Sequence, residues 1–166
     1  MTINELDSIR HNRHAARLIA ILSLYSYNMS EDTSANLLKI SEKMKKSYRN
    51  QDIFDIEATM ELHVPDEEFL ERLVNLTLSK QNEIEELIRS CLIAKWNFDK
   101  LDQVLRAILK LSALELLYHG EIPAKIIIDE YVSLTKTFYE NNEAGFVNKV
   151  IDTMASKVRA EEMPSL

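Results

Sequence analysis

The sequence predicts an all-α protein of about seven helices. The chain has 166 residues but only two glycines and three prolines, whereas sheets and hairpins depend on glycine in their positive-φ turns. Apolar residues recur at spacings of three and four almost throughout, as on one face of a helix. No repeat or low-complexity tract divides the chain. We expect a single helical domain over residues 1–166, with an N-terminal bundle over about 1–79 and a C-terminal bundle over about 80–160.

The N-terminal half contains three helical segments and one ambiguous stretch. Helical spacing of apolar residues covers about residues 8–29 and again about residues 31–48. A third helix is expected to begin near Pro65, because proline and the acidic residues after it suit a first helical turn. The pattern between residues 49 and 64 favours no structure.

The C-terminal half predicts four more helices. The triple isoleucine at 126–128 has strand propensity, but a lone strand has no partner, so a helix is preferred. Gly120 is expected at a helix end. The segments are 84–91, then 101–119 after a break at Trp96-Asn97-Phe98-Asp99, then 123–138, and a last helix from about Ala144.

The rare residues exclude several function classes. With Gly120 and Gly145 as the only glycines, the chain holds neither a phosphate-binding P-loop nor a dinucleotide-binding motif. Cys91 is the single cysteine, which excludes an internal disulfide and a cysteine-rich zinc site. We expect no cofactor.

Catalytic and metal-ligating residues have little support. His11 and His14 are three apart on a helix, but they lie among arginines and lack a third ligand motif, so no metal is expected. Glu115 lies in an apolar run, where a carboxylate bonded to a neighbouring backbone or hydroxyl group is favoured over an acid catalyst. His63 and His119 are expected at element ends, capping or solvated. We therefore predict no catalytic residue and a protein that is not an enzyme.

Location is predicted by elimination. The N-terminal stretch lacks the apolar run of a signal peptide, and no segment approaches the roughly 18 apolar residues of a membrane span. We expect a cytoplasmic protein without membrane contact. The net charge of −7 argues against nucleic-acid binding by the whole surface but not by a local patch.

A local basic patch is present on the first helix. No Asp or Glu occurs from Ser8 to Ser30, and Arg10, Arg13, His14 and Arg17 share an arc of roughly 100° on that helix. Guanidinium groups bind phosphate through two parallel hydrogen bonds. We expect Arg10, Arg13 and Arg17 to face outward, so that replacing Arg13 and Arg17 together with alanine weakens ligand binding and leaves folding intact. From charge alone, a solvated basic face is the favoured interpretation.

Several segments together resemble a known family. They are Arg13-His14-Ala15-Ala16-Arg17 running into Leu24-Tyr25-Ser26, then Trp96-Asn97-Phe98-Asp99-Lys100-Leu101, then Arg106-Ala107-Ile108-Leu109-Lys110-Leu111 with Leu114-Glu115-Leu116-Leu117, then Ile122-Pro123, Ile128-Asp129-Glu130 and Leu134-Thr135-Lys136, and finally Phe146-Val147-Asn148. In order and spacing they resemble the NusB family of bacterial transcription antitermination factors. The match covers about the first thirty and the last seventy residues.

The resemblance implies a fold and a non-enzymatic role. It implies two small helical bundles, and binding of the boxA element of nascent RNA together with NusE, a small-subunit ribosomal protein. The complex helps RNA polymerase to read through terminators in ribosomal RNA operons.

The resemblance also implies which residues bind. It assigns RNA binding to the basic residues near the N-terminus, which here are Arg10, Arg13, His14 and Arg17. It also assigns RNA binding to the start of the last helix, here Asn142 and Phe146. Lys149 stands where the family usually has glycine and adds a charge near that surface. Without the resemblance, Phe146 is predicted as a core residue. Tyr25 looks like a NusE contact, with an ordinary core tyrosine as the alternative.

Other functions remain open from the sequence. One is a helical protein–protein scaffold that binds no RNA. Another is a stand-alone relative of the NusB-like domain of ribosomal RNA cytosine methyltransferases, whose catalytic domain needs a glycine-rich loop and a reactive cysteine that this sequence does not supply. Exposed apolar helix faces serve a homodimer as well as NusE, and periodicity does not distinguish the two.

Overall fold

The computed structural model describes residues 1–31, 36–50 and 63–164, and this part of the chain is helical without strands. The all-α prediction is confirmed. The helices are α1 (Ile3–Met29), α2 (Leu37–Arg49), α3 (Glu67–Ser79), α4 (Gln81–Cys91), α5 (Gln103–Tyr118), α6 (Ala124–Phe138) and α7 (Glu143–Val158), with 3₁₀ turns at Phe98–Lys100 and Ala160–Glu162.

Helix starts differ from the predicted ones where side chains cap the backbone. α1 begins earlier than predicted, because Thr2 and Glu5 form a reciprocal capping box. α2 begins later, because the Asn36 side chain accepts hydrogen bonds from the backbone N–H groups of residues 38 and 39. Most of the ambiguous stretch, residues 51–62, lies outside the described residues. The triple isoleucine is helical within α6, as predicted.

The chain divides into two compact units, Met1–Asn75 and Leu76–Leu166. In the first unit α1 packs against α2. Its core is made by the middle of α1 and the start of α3, and includes Ile19, Ile21, Leu24, Phe69 and Leu73. Burial of these apolar side chains is the main force that holds the unit together.

The second unit is built around α5. Every residue from Ala107 to Leu116 is buried, and α5 packs against α4, α6 and α7. A helix that is apolar on all sides is expected at the centre of a bundle. Among the described residues, no helix combines the length and the apolar character that a membrane crossing requires.

Arg159 closes the C-terminal end of α5. Its guanidinium is buried and donates hydrogen bonds to the backbone carbonyls of Leu116 (2.8 Å), His119 (2.9 Å) and Ile122 (3.1 Å). It also pairs with Glu162 at 2.8 Å, which lowers the pKa of that carboxyl group. One side chain thereby satisfies the Leu116 carbonyl at the end of the helix and binds two carbonyls of the turn that follows.

Buried polar residues clarify two predictions. Glu115 is fully buried, accepts a hydrogen bond from the Tyr131 hydroxyl and lies 3.3 Å from Nδ1 of His119. The favoured interpretation, a carboxylate bonded to a hydroxyl group, is confirmed. His119 is the C-cap residue of α5, as expected of an element end. Its side chain is fully buried rather than solvated, and its Nδ1 faces the Glu115 carboxylate one turn earlier.

Candidate nucleic-acid interface

The solvent exposure of the basic residues of α1 decreases along the helix. Arg10 is exposed, Arg13 and His14 are half-buried, and Arg17 is only 2% exposed. The first ten residues of the chain are all exposed. The basic stripe therefore starts in solvent and ends inside the first unit.

The prediction that Arg17 faces outward is wrong. Its guanidinium lies 4.9 Å from the centre of the Phe69 ring, within the usual range of cation–π contacts. Phe69 is 3% exposed in the first turn of α3. The sequence pattern did not predict this burial, because the covering aromatic ring comes from a distant helix. The expectation that Arg17 contributes nothing to folding is corrected with it.

The Arg13 side chain contacts other residues of the first unit and is also partly exposed to solvent. Its guanidinium lies 5.1 Å from the Phe69 ring centre, and its Nε is 3.8 Å from Asp66. Its side chain remains 34% exposed. Asp66 is held in place because its backbone N–H donates to the Asn12 carbonyl at 2.9 Å, and its carboxylate accepts from the Phe69 backbone N–H. Arg13 is thus partly exposed to solvent and lies next to an aspartate that is itself held by hydrogen bonds.

His11 and His63, which lie near the basic residues of α1, pack against each other. The rings of His11 and His63 stack with centres 4.3 Å apart and planes 11° apart. The carbonyl of His63 accepts a hydrogen bond from the Tyr48 hydroxyl at 3.0 Å. His63 is half-buried, so it is neither the helix cap nor the solvated residue that was expected. Within the described ranges, no group of three His, Cys, Asp or Glu residues is arranged to hold a metal ion.

In the second unit, the predicted residues surround the start of α7. Asn142 is the exposed N-cap residue, and Lys149 is exposed two turns further on. Phe146 is half-buried and lies against Trp96, with ring centres 5.0 Å apart and planes tilted by 48°. Phe146 is therefore neither fully exposed nor a core residue, and both interpretations of it were too simple.

Trp96 is a residue that sequence reasoning missed. It is 42% exposed, in the break between α4 and α5. The sequence did contain a signal for its exposure, namely a tryptophan in a polar break next to Lys95. Buried aromatic residues normally follow helical spacing, and Trp96 does not.

The segment around Trp96 is held by charged side chains. Arg89 donates two hydrogen bonds to Asp99, at 2.8 and 3.1 Å, which lowers the pKa of the Asp99 carboxyl group. Asn97 caps the following 3₁₀ turn through its side chain. Phe98 is buried with Arg89, Arg106 and Lys110 around its ring. The break between the helices is thus a defined structure.

Tyr25 lies in the second half of α1 and is 38% exposed. A core tyrosine is not observed at this position. An aromatic ring that is partly in solvent is available to a protein partner, since tyrosine is enriched in interfaces.

Comparison with known proteins decides the family. The sequence profile described as the NusB family matches residues 14–156. The chain belongs to the NusB family. This NusB-family chain is 30% identical over 150 residues to the transcription antitermination protein NusB of Maricaulis maris, covering 90% of this chain and 89% of that protein. The corresponding protein of Sphingopyxis alaskensis is 30% identical over 148 residues, with 89% and 95% covered.

Solved structures agree with the family. T. maritima NusB superposes with a TM-score of 0.70 at 25% identity, covering 90% of this chain and 95% of that chain. A crystal structure of the antitermination factors NusB and NusE in complex with double-stranded RNA gives a TM-score of 0.67 at 22% identity, covering 88% and 97%. The second likeness shows that this chain shares the NusB fold.

The burial of Arg17 leads to a stability prediction. Replacing Arg17 with alanine removes the contact with Phe69 and leaves a space in the first unit. We expect a loss of about 2 kcal/mol in the free energy of unfolding, measured by urea titration followed by circular dichroism. Arg10→Ala is the matched control and should change stability by less than about 0.5 kcal/mol. Equal stability of the two variants would show that Arg17 is not a packing residue.

Proposed function

We propose that this chain is a non-catalytic RNA-binding adaptor of transcription antitermination, which binds boxA RNA of ribosomal RNA operons together with NusE. Membership of the NusB family over residues 14–156 is the observation that carries the proposal. The site of action is the cytoplasm, where nascent RNA and RNA polymerase are found in bacteria. The adaptor would join the RNA to the antitermination complex of RNA polymerase.

The RNA contacts proposed for the first unit come from one end of α1. Arg10 is exposed and Arg13 is half-exposed, so both side chains can reach phosphate groups. His14, one position after Arg13, adds an imidazole ring whose nitrogen atoms form hydrogen bonds. Arg17 has a different task, because its burial against Phe69 makes it a positioning residue for the helix that carries the other three.

The contacts proposed for the second unit are Asn142, Phe146 and Lys149. They supply an amide, an aromatic ring and a cation within two turns of α7. Single-stranded RNA is usually bound by this combination of phosphate contacts, hydrogen bonds and stacking. Each unit is proposed to make its own contacts with the RNA.

NusE is proposed to bind at Tyr25. The protein carries a net charge of −7, which attracts a basic partner and speeds its association. The same charge opposes RNA binding by this chain alone, so a shared interface with a basic ribosomal protein is physically reasonable.

The proposal includes no chemical step. The buried Glu115 carboxylate accepts a hydrogen bond from the Tyr131 hydroxyl and lies 3.3 Å from Nδ1 of His119, which supports a role in packing. The chain spans 89% and 95% of the length of the two curated NusB proteins, which favours a NusB factor over a methyltransferase relative.

The RNA contacts on α1 predict a specific defect. Replacing Arg10 and Arg13 together with alanine should weaken binding of boxA-bearing RNA, in the presence of NusE, about tenfold or more at moderate salt. The slope of log affinity against log salt should fall by about 1.4, because each phosphate contact to a single strand contributes about 0.7. Fluorescence anisotropy at several salt concentrations measures both quantities.

A matched control loses the same charge elsewhere. Lys43 and Lys46 are exposed on α2, and replacing both with alanine should leave the affinity within about twofold. If both double variants lose affinity equally, RNA responds to net charge and the proposed α1 contact is wrong. Arg10→Ala alone, at an exposed position, separates RNA binding from any effect of Arg13 on folding.

The NusE contact predicts a defect of another kind. Tyr25→Ala should weaken NusE binding about tenfold in a calorimetric titration without RNA, because a partly exposed aromatic ring is a typical interface anchor. Leu78→Ala, which removes another exposed apolar side chain, should leave that affinity unchanged. Unchanged NusE binding by Tyr25→Ala would place NusE on another surface. If the protein binds NusE but acts without binding RNA, the alternative of a protein–protein scaffold is supported instead.

A further inference from the structure

An open groove of about 130 Å³ lies beside Trp96 in the second unit. Trp96 and Phe146 form its aromatic wall, Cys91 and Val150 line its apolar floor, and Lys149 lies at its edge. Apolar cavities of about 150 Å³ accept a benzene ring. The groove is therefore of a size to hold one small planar ring.

The aromatic wall offers a stacking surface. Trp96 is 42% exposed, and its ring is tilted by 48° from that of Phe146, so the two rings do not cover each other face to face. Lys95 places its ammonium group 5.6 Å from the Trp96 ring centre. A large, partly exposed aromatic side chain next to a cation is the usual arrangement of sites that stack unpaired bases.

The wall is also held in a fixed position. The segment that carries Trp96 is held in place by the two hydrogen bonds from Arg89 to Asp99. Burial of Phe98, two residues after Trp96, also holds it. A stacking surface that is already in place costs little ordering entropy when a ligand binds. An aromatic side chain that merely filled a gap in the core would be buried, whereas Trp96 is 42% and Ile93 52% exposed.

We infer that this groove accepts one unpaired base of single-stranded RNA, stacked on Trp96, with the adjacent phosphates near Lys95 and Lys149. The inference rests on the proposed RNA-binding function and adds Trp96 to the residues that perform it. The two lysines provide the charge complementarity to a polyanion. A base-paired nucleotide does not fit, because its ring is already stacked between neighbours.

Intrinsic fluorescence tests the inference directly, because Trp96 is the only tryptophan in the sequence. Titration of the intact protein, with NusE held at saturation, by a boxA-bearing single-stranded RNA should quench Trp96 emission about twofold or more along the binding isotherm measured by anisotropy. The same RNA annealed to its complement should not quench it. The emission of NusE is subtracted with the Trp96→Phe variant.

Substitutions give a second readout. Trp96→Ala should weaken RNA binding about tenfold, as expected for the loss of one stacked base, and Trp96→Phe should restore most of the affinity. Leu78→Ala, another exposed apolar position in the second unit, is the matched control and should bind RNA normally. NusE binding should be unchanged in all three variants.

The outcomes separate this inference from the proposed function. Saturable RNA binding without a change in Trp96 emission overturns the base-binding groove and leaves the RNA-binding function in place. Quenching of the same size by NusE alone overturns the inference in favour of a protein contact. If no RNA binds under any of these conditions, both the inference and the proposed function are wrong.

Discussion

The packing of Arg13 and Arg17 on one ring of Phe69 determines which part of α1 is available to a ligand. Both guanidinium groups lie about 5 Å from that ring, at 5.1 and 4.9 Å. A cation that rests on an aromatic face keeps its charge while its stem is buried. The contact therefore joins α1 to α3, while the end of α1 that carries Arg10 stays exposed.

Local arrangement of charge matters more here than the net charge. On α2, Lys45 lies 3.1 and 3.3 Å from Glu42 and Glu67, and Arg49 lies 2.8 Å from Glu67. The hydrogen bond from Lys45 lowers the pKa of Glu67, so these charges largely cancel near neutral pH. From Ser8 to Ser30, α1 contains no acidic residue. An acidic protein can in this way present one basic end to a polyanion.

The sequence predicts those features that depend on residues close together in the chain. The helical spacing of α5 and the lone-strand argument for residues 126–128 led to correct elements. Arg17 was misjudged because its covering ring, Phe69, comes from another helix. The pairing of Trp96 with Phe146 was missed for the same reason, since it joins the break before α5 to α7. Periodicity identifies the buried side of a helix but not the long polar side chains that fold over onto it.

The most direct test of the account is ultraviolet cross-linking of boxA-bearing RNA to the intact protein in the presence of NusE, with adducts mapped by mass spectrometry. We expect adducts in the segment of α1 around Arg10 and His14 and none in the lysine-rich helix α2. Adducts confined to α2, at full RNA affinity, would contradict the assignment of the nucleic-acid surface to α1.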